Sequence, residues 1–208
     1  MTTADRLTMS LGEAMFTQRA IRRLKPDPIP DEVMRDIMES AIRAPNGGNT
    51  QQWHFIVLKD ADKRKQMGEL YHEAWWAKRK DQGIMGPEDI PPGKNSQRSA
   101  MRLANEFGDA PVMVFICALA KGGANGIIPS SQNLLLAARA HGIGGTITTL
   151  HEVVDQRVKK LLNIPETAEI VYCLPLGYPR GEFGSLPVNP WKRYVASIVG
   201  MFHINNRH

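Results

Sequence analysis

"APVMVFICALA", residues 110–120, is an almost unbroken apolar run rich in β-branched side chains. A strand with one wet face alternates apolar and polar residues, so an unbroken run reads as a central strand covered on both faces. The stretches around it must supply those covers, and they follow the helical period. "PSSQNLLLAARAHG" (129–142) reads as a helix ended by Gly142, where a left-handed cap costs glycine little. "PDEVMRDIMESAIRAP" (30–45) sets Val33, Met34, Ile37, Met38, Ala41 and Ile42 on one helical face, with Pro30 and acids at its start, Arg43 in its last turn and Pro45 as its stop.

The rest of the chain continues the alternation. "WHFIVLKD" (53–60) reads as a second strand, with Trp53, Phe55 and Val57 on one side and Ile56 and Leu58 making the other apolar. Residues 61–82 and 95–107 are expected helices, and "GIMGPEDIPPGK" (83–94) is a Pro/Gly loop between them. "HEVVDQRVKKLLNIP" (151–165) is an amphipathic helix closed by Asn163 and Pro165, and "AEIVYCLPLGYPRG" (168–181) is the last core strand. Helices outnumber strands and flank a small sheet, which gives an α+β sandwich in a single domain. No internal repeat or low-complexity segment is present.

Composition narrows the function classes. The 208 residues are 42% hydrophobic and 23% charged, enough apolar material for one sizeable core. The 26 Lys and Arg against 21 Asp and Glu leave a formal +5 that is too scattered to argue for nucleic acid. The runs Lys78/Arg79/Lys80 and Lys159/Lys160 read as solvated helix faces. Cys117 and Cys173 each sit in an apolar run, where a free thiol behaves as a small hydrophobe, so a reducing cytoplasm is expected. The N-terminus lacks a basic-then-apolar signal layout, and no apolar stretch approaches the ~20 residues needed to span a bilayer. The six histidines show no zinc spacing and no CxxC occurs, so no metal is expected.

Few stretches carry chemistry by themselves. The glycines of "GIGGTITTL" (142–150) follow a helix, whereas a dinucleotide-binding fingerprint follows a strand and opens a helix. No GxSxG or phosphate-loop motif occurs; His151 reads as a helix-start residue and Cys117 as core. In "FTQRAIRRLKPDPIPDE" (16–32), Arg19 and Arg22 stand three apart and would project from one side of a helical turn. Two guanidiniums held that way grip a phosphate, and a solvated basic helix end is the alternative. The long polar junction "APNGGNTQQW" (44–53) joins a helix to a strand where a shorter turn would do.

Taken together, "QRAIRRLKPDPIPDE", "APNGGNTQQWHFIVLKD" and "NLLLAARAHGIGG…LPLGYPRG" resemble, in order and spacing, the flavin-dependent nitroreductase family, from about Phe16 to Arg193 and weakly over 61–108. The resemblance implies an intertwined homodimer with a central, mostly antiparallel sheet, and FMN in each of two clefts at the subunit interface. By that likeness Arg19, Arg22 and the backbone around Ala20 contact the FMN phosphate and ribityl chain, and Arg193 is a second phosphate clamp. Asn46, Gly47, Asn49 and Gln51 would reach the flavin, partly from the neighbouring subunit. Pro129, Ser130, Ser131 and the glycines of "GIGGT", Gly144 and Gly145 among them, would wall its rings. Ala20 replaces the usual Ser, and Asn46 and Gln52 the usual Ser and Pro.

The likeness also implies that catalysis needs no protein acid or base, because flavin N5 carries the chemistry. NADH or NADPH reduces the flavin, and a nitroaromatic, quinone or similar electron-poor acceptor then takes its place in a ping-pong cycle. Residues 61–108 would form a helical lid over the substrate cleft, with Tyr71, Trp75 and Trp76 either stacking partners or core. Residues 190–208 would extend onto the partner subunit. A specialised flavin enzyme of the same fold, a dehalogenase or a flavin-cleaving enzyme, is an alternative, as is a flavin-binding protein without turnover.

Overall fold

The computed structural model describes residues 2–119 and 123–184, and the backbone of 195–196 and 202–203. Two short helices, α1 (Thr3–Arg6) and α2 (Leu11–Thr17), precede α3 (Asp31–Ala41); β1 (Trp53–Leu58), α4 (Ala61–Lys80) and α5 (Asn95–Glu106) lead to β2 (Val112–Ala118). Then come α6 (Ile128–Ala140), β3 (Gly144–Gly145), α7 (Asp155–Leu162) and β4 (Glu169–Gly177). The strands form one antiparallel sheet in the order β1-β2-β4-β3. β5 (Val195–Ala196) and β6 (Phe202–His203) pair with each other. The α+β expectation therefore holds for the described residues.

β2 is buried at all seven positions, as its unbroken apolar run requires. Its side chains alternate between two cores. Val112, Val114, Ile116 and Ala118 meet Met34, Ile37 and Ala41 of α3 and Leu134 and Ala138 of α6. Met113, Phe115 and Cys117 meet Met67, Tyr71 and Trp75 of α4, Leu103 of α5 and Val158 of α7. An antiparallel sheet often keeps one face wet, but here helices cover both, which removes the need for polar residues in β2. A β-bulge opposite Ile116 and Cys117 shifts the parity of β4, so that Ile170 faces the second core while Tyr172, Leu174 and Leu176 face the first.

Within 61–108, α4 packs closely on the turn that follows α5. The Tyr71 ring stacks on Phe107 at 3.8 Å between centroids. A Cβ on Gly68 would fall 2.7 Å from the Gly108 Cα, so α4 and the turn after α5 meet backbone to backbone. Tyr71 and Trp75 are buried, and Trp76 is partly buried against the same core.

Four local expectations are corrected. Residues 19–25 do not form a helical turn: Ala20 makes a parallel bridge to Gly145 and Leu24 an antiparallel bridge to Pro179, so the segment extends the sheet edge. Ile21 and Leu24 fill a small core with Ala110, and that burial overrides local helix propensity. Helix α3 ends at Ala41, before Arg43. Ala44 precedes Pro45 and is pushed out of the helical region, so the last turn tightens instead of continuing. The stretch from His151 starts as a 3-10 turn, Leu150–Val154, and becomes α-helical only at Asp155. Lys159 is not on a solvated face; it is buried and pairs with Asp155 at 3.0 Å, while Lys160 is exposed. Gly142 does adopt a left-handed φ of 72°.

Candidate functional site

The arginine segment lies along a cavity at the sheet edge. About 360 Å³ of space is bounded by Arg19, Arg22, Arg23, Ser99, Arg180 and Glu182, among others. The segment is held from both sides. The Ile21 N–H donates to the Gly145 carbonyl at 2.9 Å, and the Lys25 N–H donates to the Tyr178 carbonyl at 2.7 Å. Arg180 donates through its backbone to the Arg23 carbonyl and through Nε to the Leu24 carbonyl, at 3.0 and 2.9 Å. Arg19 Nη2 donates to the Glu182 carbonyl at 3.0 Å. Four arginines thus line one cavity with a single acidic residue, Glu182, and Arg180 also stands 4.0 Å from Glu106 Oε2. Planar, permanently charged donors in that number suit a phosphate or another oxyanion.

Gly144 and Gly145 are buried beside this segment. A Cβ on Gly144 would meet Ile21 Cβ at 2.8 Å, and one on Gly145 would meet the Pro175 carbonyl at 2.9 Å. The missing side chain of Gly144 is what lets Ile21 approach the sheet, and that of Gly145 lets β3 close on β4.

A second cavity, of about 270 Å³, shares Arg22 with the first and continues toward α4. Tyr71, Trp75, Lys78 and Arg79 bound it on one side and Thr146 to Leu150 on the other. The Tyr71 hydroxyl and Thr148 Oγ1 are hydrogen-bonded at 3.0 Å, and burial pushes the Tyr71 phenol up to about 12. The Arg79 guanidinium lies over the Trp75 ring, 5.3 Å from its centroid. Thr146 closes the GIGGT stretch expected at the flavin rings, whereas Thr148 and Thr149 carry no signal in the sequence that would place them at a cavity.

The polar junction 46–52 folds into a 3-10 turn, Gly47–Asn49. Asn49 and Gln51 carry left-handed φ values of 53° and 48°, as does Gly48 at 59°. Side chains support this shape. Asn46 Oδ1 accepts from the Gln51 N–H at 2.8 Å, Gln51 Nε2 donates to Asn49 Oδ1 at 3.2 Å, and Thr50 Oγ1 donates to the Gly47 carbonyl at 3.0 Å. Left-handed non-glycine residues cost energy and cluster at ligand-contacting segments. The loop lines its own cavity of about 180 Å³ with Trp53, Asn125 and Gly126, and shares no lining residue with the arginine cavities. Within this chain the arginines and the amide loop therefore line separate cavities.

Ser131 and its neighbour Ser130 are buried in the first turn of α6, and Ser131 Oγ donates to the Ile128 carbonyl at 2.7 Å. Arg193 lies outside the described residues. Cys117 is core, as expected, with its thiol pushed up to about 11 by burial, and burial likewise raises the Cys173 thiol well above its ordinary value. His151 is buried with Nε2 2.9 Å from the Ile170 carbonyl, and burial holds its pKa below the ordinary value. These are neutral core groups rather than a nucleophile and its base. Among the described residues no group of His, Cys, Asp and Glu is arranged to hold a metal, and no helix is long and apolar enough to cross a membrane.

One charged group is buried away from these cavities. Asp36 of α3 is fully buried, takes a forked contact from Arg6 of α1, accepts from Thr3 Oγ1 at 2.9 Å and lies 3.2 Å from His141 Nε2. The Arg6 guanidinium, ahead of the opposing effect of burial, draws its carboxyl down to about 2. This cluster ties the N-terminus to α3 and to the end of α6.

Residues 16–178 match the family model described as Nitroreductase family. The chain belongs to the nitroreductase family. It is 30% identical over 173 residues to a protein of Archaeoglobus fulgidus described as an NADH dehydrogenase/NAD(P)H nitroreductase, covering 81% of this chain and 84% of that one. It is 29% identical over 182 residues to iodotyrosine deiodinase 1 of Rattus norvegicus, covering 80% of this chain but only 61% of the deiodinase. In three dimensions it is similar to an oxidized iodotyrosine deiodinase bound to FMN and 3-iodo-L-tyrosine, with a TM-score of 0.71 at 22% identity over 86% of this chain and 95% of that one.

Proposed function

We propose that the protein is an FMN-dependent oxidoreductase that takes electrons from NADH or NADPH and passes them to a nitroaromatic, a quinone or a similar electron-poor acceptor. The observation that carries this reading is the cavity at the sheet edge, which Arg19, Arg22, Arg23 and Arg180 line together with one acidic residue, Glu182. A flavin mononucleotide ends in one phosphate, and that cavity is the oxyanion end such a ligand needs. Arg193 is proposed as a further phosphate contact. Ala20 offers only backbone there, so the guanidiniums carry the grip.

FMN, when bound, supplies the hydride acceptor and donor, which is consistent with core thiols and a core histidine that have no catalytic pairing. The chain's own part is to hold and orient. The Asn46 and Gln51 amides and the Gly47 and Asn49 backbone present donors and acceptors to a flat polar ring. Since the loop and the arginines line separate cavities within one protomer, the complete cleft is assigned to a homodimer in which the partner supplies the loop. Ser131, Gly144 and Gly145 support the wall from behind, Gly144 by letting the arginine segment close on the sheet and Gly145 by letting β3 close on β4. A cytoplasmic location is part of the proposal, as is an extension of residues 190–208 onto the partner subunit, a stretch that lies outside the described residues except for the backbone of 195–196 and 202–203.

The test is steady-state oxidation of NADH and of NADPH by the purified, FMN-loaded protein with a nitroarene and with a quinone. Parallel double-reciprocal lines are expected, because no dinucleotide-binding motif holds the nicotinamide apart from the acceptor. Binding of FMN without turnover of either nucleotide would reduce the reading to a flavin carrier. The likeness to deiodinases favours one second reading, reductive dehalogenation, and iodide release from 3-iodotyrosine by the reduced protein separates it.

A further inference from the structure

We propose that the acceptor of this enzyme is a monocyclic aromatic carboxylate, whose carboxylate is gripped by Lys78 and Arg79 at the end of α4. The proposal rests on the FMN reading for the word acceptor, but its binding claim stands on the cavity alone. That cavity holds about 270 Å³, at or below the ~300–1,000 Å³ typical of pockets for larger ligands, so one substituted ring fills it. Its walls offer a ring what it needs: Tyr71, Trp75, Leu103, Ile147 and Leu150.

The charges of the cavity are one-sided. Arg22, Lys78 and Arg79 line it, and among the described residues no carboxylate does. Arg22 faces both cavities and belongs to the phosphate end, which leaves Lys78 and Arg79 without an anionic counterpart in the wall. Arg79 is held in place. Its guanidinium is braced over Trp75, one Nη donates to Gln82 Oε1 at 2.7 Å, and Nε is buried without a hydrogen-bond partner. In the cavity wall its guanidinium offers an arriving oxyanion charge-assisted donors. The same one-sidedness works against a zwitterionic amino acid, whose ammonium would face cations with no acid to receive it. A plain aromatic carboxylate therefore fits this wall better than an amino acid does.

Isothermal titration of the FMN-loaded and the FMN-free protein with 4-nitrobenzoate and with the neutral isostere 4-nitrobenzamide tests the assignment. The carboxylate is expected to bind about tenfold more tightly or better, as one charge-assisted contact implies. Lys78→Met and Arg79→Met should each erase most of that preference while moving the amide's dissociation constant less than about twofold, the scale of a changed surface residue. Both variants should keep the wild-type FMN dissociation constant. Equal affinity of wild type for the two ligands overturns the proposal. So does a tenfold loss of FMN affinity in either variant, which would assign these cations to the cofactor. A protein that takes up no FMN sinks the flavin reading instead, and titration of that FMN-free protein still decides this one.

Discussion

The Ile21 amide donates to the Gly145 carbonyl at 2.9 Å, and the Ile21 Cβ stands 2.8 Å from where a Cβ on Gly144 would lie. The arginine segment reaches the sheet because Gly144 leaves the space. Gly144→Ala must push Ile21 away, and with it the segment carrying Arg19 and Arg22. An overpacked site of this kind costs about 1–3 kcal/mol. We expect a lowered melting temperature together with weakened FMN binding. Gly47→Ala, which meets nothing within 4 Å, should melt close to wild type. Equal melting temperatures for the two variants would contradict the packing role.

Arg22→Ala should weaken FMN binding by ~1.5–3 kcal/mol, the loss of a charge-assisted contact to phosphate. The matched control is Lys160→Ala, an exposed lysine of α7. Lys159 does not serve, because it is buried against Asp155 and its removal would strand a carboxylate. Fluorescence titration with FMN should separate the two variants by tenfold or more. Similar dissociation constants would remove Arg22 from the site.

Much of this architecture was legible in the sequence, and the misses share a cause. The apolar run of β2 announced a strand covered on both faces, and the faces of α3 and α6 announced one of the covers. Residues 19–25 were misread because arginine spacing is a local signal, whereas Ala20 and Leu24 are captured by Gly145 and Pro179, far away in the chain. Lys159 looked solvated beside Lys160, since nothing local shows that Asp155 one turn back folds over it. Asp36 sat inside the apolar helix of residues 31–41 without notice, because its partner Arg6 lies 30 residues earlier. Thr148 and Thr149 line a cavity only because α4 lies opposite them, a placement that no local pattern announces.

Asp36 makes stability depend on acid pH in a definite direction. Its folded carboxyl titrates at about 2 against an ordinary 3.8, so the ionised form is favoured by folding. That contribution is fully present above the ordinary value and is lost as pH falls through the folded one. Asp36→Asn should therefore cost about 1–3 kcal/mol at neutral pH, as for a partly broken buried charge pair. Urea melts at a series of pH values should show the gap between wild type and variant hold steady near neutrality and shrink between pH 4 and 2. A gap that grows toward low pH would contradict the assignment.

Helix α2 exposes Leu11 at 70%, Met15 at 57% and Phe16 at 78%, more apolar surface than so short a helix needs to leave in water. The proposed homodimer accounts for it. Light scattering at micromolar concentration should give twice the chain mass, and Phe16→Asp should shift the protein toward monomer. A monomeric wild type with FMN still bound would dismiss both the interface and the shared cleft.

The most direct test of the central claim is anaerobic titration of the purified protein with NADH and then NADPH, followed at the visible flavin band. The account predicts a yellow protein whose heat-released cofactor is FMN. It also predicts that one of the two nucleotides bleaches the band in the absence of any acceptor, and that a nitroarene or quinone restores it. A colourless protein that takes up no added FMN, or a bound flavin that neither nucleotide reduces until an acceptor is present, would contradict it.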